Sequence, residues 1–98
     1  MSRSLAKPVL PASPQAVDAE ALGRSVRAQR LAAGLRIDDA AALCGVSVTV
    51  LSRLENAASG ISTQNLFKVL DGLGLSLLIF TKAEVPQVLA TLDRPAPK

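Results

Sequence analysis

Between residues 18 and 74 the apolar positions recur at three- and four-residue intervals, the spacing of one helix face. In "DAEALGRSVRAQRLAAG", Leu22, Val26 and Ala33 share a face with Arg30 near it. Asp18 and Glu20 suit the positive first turn of a helix, and Gly34 suits its end. "IDDAAALC" predicts a second helix with Asp38 and Asp39 near its start, closed by Gly45 in the left-handed conformation. Ser47 is placed to cap a third helix over 48–56, and Ser62 a fourth that runs through Leu73. Leu66, Val69, Leu70 and Leu73 form the buried stripe of that last helix.

The stretch "AALCGVSVTVLSRLEN" (41–56) admits a competing reading, because Val46, Val48 and Val50 alternate with Ser47 and Thr49 as in a strand. Two helices meeting at a turn explain more of it. That motif needs a small residue where the helices approach, a turn residue tolerant of positive φ, and branched apolar anchors on the second helix. Ala41 supplies the first, Gly45 the second, and Leu51 and Leu54 the third, with Val46 filling the gap between them.

Residues 75–81, "LSLLIFT", break the helical period and are apolar on both faces of a two-residue repeat, as a strand covered on both sides would be. No second good strand exists in the chain, so pairing with the same segment of another copy, a homodimer, is the economical solution. "PQVLATL" predicts a short helix with Pro86 at its first position, and "DRPAPK" a frayed tail. Residues 1–17, with Pro8, Pro11 and Pro14 and no apolar period, read as a mobile basic arm around Arg3 and Lys7. The expected organisation is therefore an arm (1–17), a helical domain (18–74), a dimerisation strand (75–81) and a C-terminal extension (82–98).

Composition narrows the chemistry. The 98 residues support one small domain, and with two Phe and no Trp or Tyr its core must be aliphatic. That excludes the aromatic platforms on which single-stranded nucleic acid stacks. Histidine is absent and Cys44 is alone, so no histidine base, Cys/His dyad, zinc cluster or internal disulfide can be assembled, and no metal or cofactor is expected. Cys44, among apolar neighbours, reads as core. The Ser4–Lys7 spacing and the Gly72-Leu-Gly74 run match fragments of catalytic motifs but lack their structural context, so no catalytic residue is assigned. The net charge of +3 leans toward anionic partners. The longest greasy run, 77–80, is far too short to span a bilayer, and the prolines interrupt any signal-peptide pattern, so a cytoplasmic protein is expected.

The run of Leu22-Gly23, Arg27, Arg30, Gly34-Leu35, Ala41, Gly45-Val46-Ser47, Leu51-Ser52 and Leu54-Glu55-Asn56 resembles, without gaps, the phage-repressor-like (Xre) helix-turn-helix family. The appended "FKVLDGLGLSLLIF" is similar to the HipB-type antitoxins of that family, whose members dimerise through an intersubunit strand pair. The resemblance implies a mainly α, four- to five-helix, lambda-repressor-like fold with one C-terminal β-strand pairing across a homodimer through Leu75, Leu77, Leu78, Ile79 and Phe80. It also implies repression of the protein's own operon, a double-stranded DNA operator, and a HipA-type Ser/Thr kinase toxin as partner.

In that family the recognition helix lies in the major groove with its N-terminal residues at the base edges. The matching positions are Ser47, Val48, Thr49, Ser52 and Arg53. Ser47 and Thr49 can bond bases or phosphates, Val48 offers a methyl contact to thymine, and Arg53 can make the two-pronged contact to guanine. Asn56, Ser62, Thr63, Arg27 and Arg36 match or suit phosphate contacts, and Arg30 and Glu55 match a structural ion pair between the first and third helices. Two positions depart from the pattern. Ile37 stands where the family usually has a glutamine that bonds a phosphate and the recognition helix, and Ala40 is smaller than the usual leucine. Two other readings of function stay open: an interaction module that mainly neutralises a kinase with weakened DNA binding, and a stand-alone phage or host repressor.

Overall fold

A computed structural model describes residues 15–92, which form five helices: α1 (Ala19–Ala32), α2 (Ile37–Cys44), α3 (Val48–Glu55), α4 (Thr63–Gly72) and α5 (Val85–Leu92). The N-terminal arm up to residue 14, with the Ser4–Lys7 pair, and the tail from residue 93 lie outside the described residues.

Three helices begin on side-chain caps that satisfy an otherwise orphaned amide. Asp18 accepts from the Ala21 amide at 2.8 Å, Ser47 from Val50 at 3.1 Å and Ser62 from Asn65 at 3.0 Å. Helices α1 to α4 end in one shared way, with paired backbone bonds in the six-to-one and five-to-two pattern. In α2 these are Val46 N–H to Ala41 O (3.0 Å) and Gly45 N–H to Ala42 O (3.2 Å), with Gly45 left-handed at φ 74°. In α3 the same bonds run from Ala58 to Arg53 and from Ala57 to Leu54, and there the left-handed residue is Ala57, at φ 59°.

The core gathers Val26 of α1, Ala40, Ala41 and Cys44 of α2, Leu51 and Leu54 of α3, and Val69, Leu70 and Leu73 at and beyond α4. Leu51, Val26 and Val69 are fully buried. Small residues set the spacing of the layers. A methyl group on Gly23 would come 2.6 Å from the Leu54 carbonyl oxygen, so α1 crosses α3 backbone to backbone. One on Gly72 would meet the Cys44 sulfur at 2.6 Å, which brings α4 equally close to α2. Burial pushes the Cys44 thiol up, with the Asp71 charge adding to it, and the thiol points at the Val69 carbonyl at 3.6 Å.

Five details differ from the sequence reading, the first being that α3 ends at Glu55 with Asn56 as its cap. Ala33 is exposed, because α1 stops at Ala32; its buried side is formed by Ala21, Gly23, Val26, Ala28 and Arg30. Leu73 caps α4 rather than lying inside it, and Pro86 is the second residue of α5, not the first. The expected strand over 75–81 is not formed in the single chain, and no strand occurs among the described residues. The segment runs from Leu75 to Phe80 without helix, turn or bend, and Leu78 (66% exposed) and Ile79 (88%) are uncovered instead of buried. A strand needs a hydrogen-bonding neighbour, and none stands beside this segment among the described residues.

Candidate nucleic-acid interface

Helix α3 is held from behind. Arg30 donates from Nε to Glu55 Oε2 at 2.7 Å and from Nη2 to Oε1 at 2.9 Å, a two-pronged pair between α1 and α3 with side chains only 11% and 5% exposed. Its third nitrogen, Nη1, donates to the Leu35 carbonyl at 3.0 Å and ties the α1–α2 loop to the same point. The hydrogen bond to Glu55 holds the Arg30 guanidinium above its ordinary range, so the charge is permanent. Leu51 and Leu54 face the core, which turns the opposite side of α3 to solvent.

That outward side carries Val48 (44% exposed), Thr49 and Arg53, with Ser52 half-buried beside them. Ser47 caps the helix with its oxygen lone pair and keeps its hydroxyl proton for an outside acceptor. A methyl on Gly60 would sit 3.4 Å from Arg53 Nη1, so the guanidinium lies over the α3–α4 loop, at the far end of α3 from Val48. The exposed side thus offers an apolar methyl pair, three hydroxyls and a planar cation along one face, the functional groups that read base edges and phosphates in a major groove.

The flanking positions are less open. Asn56 turns back on its own helix and donates to the Ser52 carbonyl at 2.8 Å. Arg36 is exposed but engaged by Asp38 at 3.0 Å and Asp39 at 3.5 Å. Ser62 spends its oxygen on the α4 cap, and Thr63 follows it, exposed, at the first helical position. Arg27 is exposed on α1 and in no ion pair among the described residues. Ile37 is half-buried and packed against the core, so that position presents no polar group outward. Seven Lys/Arg and seven Asp/Glu lie between residues 15 and 92, which places all of the net +3 in residues 1–14 and 93–98.

The engagement of Arg36 could have been read from "RIDD", where carboxylates follow the arginine at two and three residues. Another contact had no sequence signal: Gln29 Nε2 on α1 donates to the Leu73 carbonyl at 3.1 Å, across 44 residues. No group of three or more His, Cys, Asp or Glu that could hold a metal ion occurs among the described residues, and no helix there is long and apolar enough to cross a membrane.

Two helices joined by a left-handed glycine, the second clamped from behind and polar in front, define a helix-turn-helix DNA-binding domain. The chain belongs to the helix-turn-helix family HTH_3, whose model matches residues 26–80. That family is a DNA-binding regulatory domain rather than a catalytic one. Seven solved chains match the fold. Among them is a structure titled "MDT Protein", with a TM-score of 0.63 and 20% identity, covering 69% of this chain and 96% of that one. No curated protein matches the chain.

Proposed function

We propose that the protein is a sequence-specific transcriptional repressor that binds its operator as a homodimer, and that it is the antitoxin of a HipBA-like pair. The observation that carries the DNA-binding part is the clamped α3, which presents Val48, Thr49 and Arg53 outward while Arg30 and Glu55 hold it from the core side. The antitoxin part, with a HipA-like kinase as partner and a cytoplasmic, nucleoid-associated location, rests on the resemblance of the α4-to-segment run. For the homodimer, support comes from the backbone of residues 76–80, which makes no hydrogen bond among the described residues and so offers a free ladder edge beside an apolar run.

In this reading Ser47, Val48, Thr49, Ser52 and Arg53 face bases, while Arg27, Arg36, Asn56, Ser62 and Thr63 grip phosphates. Arg36 must then exchange Asp38 and Asp39 for a phosphate on binding. The test is equilibrium binding to the protein's own promoter DNA across a salt series. With Arg27 and Arg36 from two subunits neutralising phosphates, log K should fall against log salt with a slope of about −4. A flat response removes the repressor. Arg53→Ala should relax sequence preference at one base pair, whereas Arg27→Ala should weaken all sequences about equally.

A specific set of observations favours a second reading, an interaction module that neutralises a kinase and binds DNA weakly. Ile37 is turned inward, Arg36 is held by two carboxylates, and the described body has no net charge. A tight kinase complex combined with promoter binding no stronger than that to unrelated DNA would establish it.

A further inference from the structure

Helix α5 carries Val85, Val88, Leu89 and Leu92 at the i, i+3, i+4, i+7 spacing of one apolar stripe, yet none of its residues is buried in the single chain. Eight residues are too few to hold a helix in water without packing. The stripe faces residues 77–80 across an open groove lined by Leu77, Leu78, Ile79, Phe80, Val88 and Leu92, and Leu78 and Phe80 also border a second groove on the other side of α5. We infer that α5 and residues 77–80 together form one docking face for a second copy of this chain, with the partner's segment seated against α5 as well as along the free backbone edge. The inference rests on the homodimer reading and extends it from strand to helix.

Three observations select a second copy as the occupant. Residues 76–80 leave their backbone donors and acceptors unpaired among the described residues, so an occupant that brings an extended backbone can add a ladder along them. The face is self-compatible in charge. From residue 76 to 92 it holds only Lys82 and Glu84, so two copies meet without like-charge repulsion, and no cationic cluster is present to suit DNA or an anionic lipid surface. The exposed area also suffices. Leu77, Leu78, Ile79, Phe80 and Leu92 are between 42% and 88% exposed. They leave on the order of 500 Å² open per chain, the upper end of what a monomer shows in one patch, and two such faces remove about 1,000 Å², the threshold of a specific interface.

The test uses the full chain in sedimentation equilibrium over a dilution series, with hydrogen exchange on the same samples. Leu92→Asp is the informative variant, because Leu92 is 54% exposed and outside the core, so α1 to α4 should melt unchanged. It should raise the dimer dissociation constant about 100-fold and expose the 76–80 amides to exchange, while Ala90→Ser, exposed on α5 and bordering neither groove, should do neither. A Leu92→Asp dimer of unchanged affinity overturns the role of α5, and if Ile79→Asp dissociates in the same assay the strand reading survives without it. A chain that stays dimeric with Ile79→Asp but not with Leu92→Asp keeps the α5 face and rejects the strand. A wild-type chain that is monomeric at every concentration rejects both.

Discussion

Arg30 and Glu55 show what one side chain contributes to a domain this small. Both are nearly out of water, and Glu55 neutralises the guanidinium with two bonds. Glu55→Gln keeps the shape but leaves Arg30 charged and unpaired, and should cost about 3 kcal/mol in urea unfolding. Conversely, Ala57 is the non-glycine residue at the left-handed end of α3, where α1, α2 and α4 end on Gly34, Gly45 and Gly74. Ala57→Gly removes the steric penalty of that conformation, offset in part by a more flexible unfolded chain, and should stabilise by about 0.5 kcal/mol in the same measurement. Caps and stops of this kind were legible in the sequence because they depend on neighbours within a turn: Ser47, Ser62 and Gly45 all stand where their residue type requires, while Asp18, read as a first-turn charge, is the cap of α1. Ala57 was not legible, since nothing about an alanine announces positive φ.

Among the elements, the first four helices were legible from period and punctuation, while the closeness of their packing was not. Gly23 reads as a weak spot inside α1, yet it is the point where α1 touches the carbonyls of Leu54 and Glu55. Gly23→Ala, an improvement by helix propensity alone, should instead push α1 off α3 and destabilise by about 2 kcal/mol, measured by thermal or urea melting. Because Arg30 spans the same two helices, that variant should also weaken DNA binding by loosening the support of α3. The valine alternation from Val46 to Val50 is overridden in the same way: Leu51 and Leu54, buried against three other helices, hold α3 helical where local propensity alone would not.

For the whole molecule, the sequence marked residues 75–81 as something other than helix, and the backbone of residues 76–80 makes no hydrogen bond among the described residues. A pattern of residues records what an element needs, not who supplies it, and here the supplier is proposed to be another copy. Ile79→Asp should therefore halve the mass in solution while the helical signal of the four-helix body stays the same. The charge map has a similar logic. With a neutral body, promoter affinity must draw on a few exposed arginines and on the sequence ends, which carry the whole surplus. The Gln29–Leu73 bond and the packing of Leu75 on the core fasten the root of the pairing segment to the helices that carry α3. In a dimer joined through that segment, a ligand that redirects it shifts the separation of the two reading helices. DNA that fixes the separation then alters the ligand's affinity by the same factor. If the proposed homodimer forms through that segment, the Gln29 amide on α1 is one of the contacts through which occupancy at the C-terminal face and occupancy of an operator would report on each other.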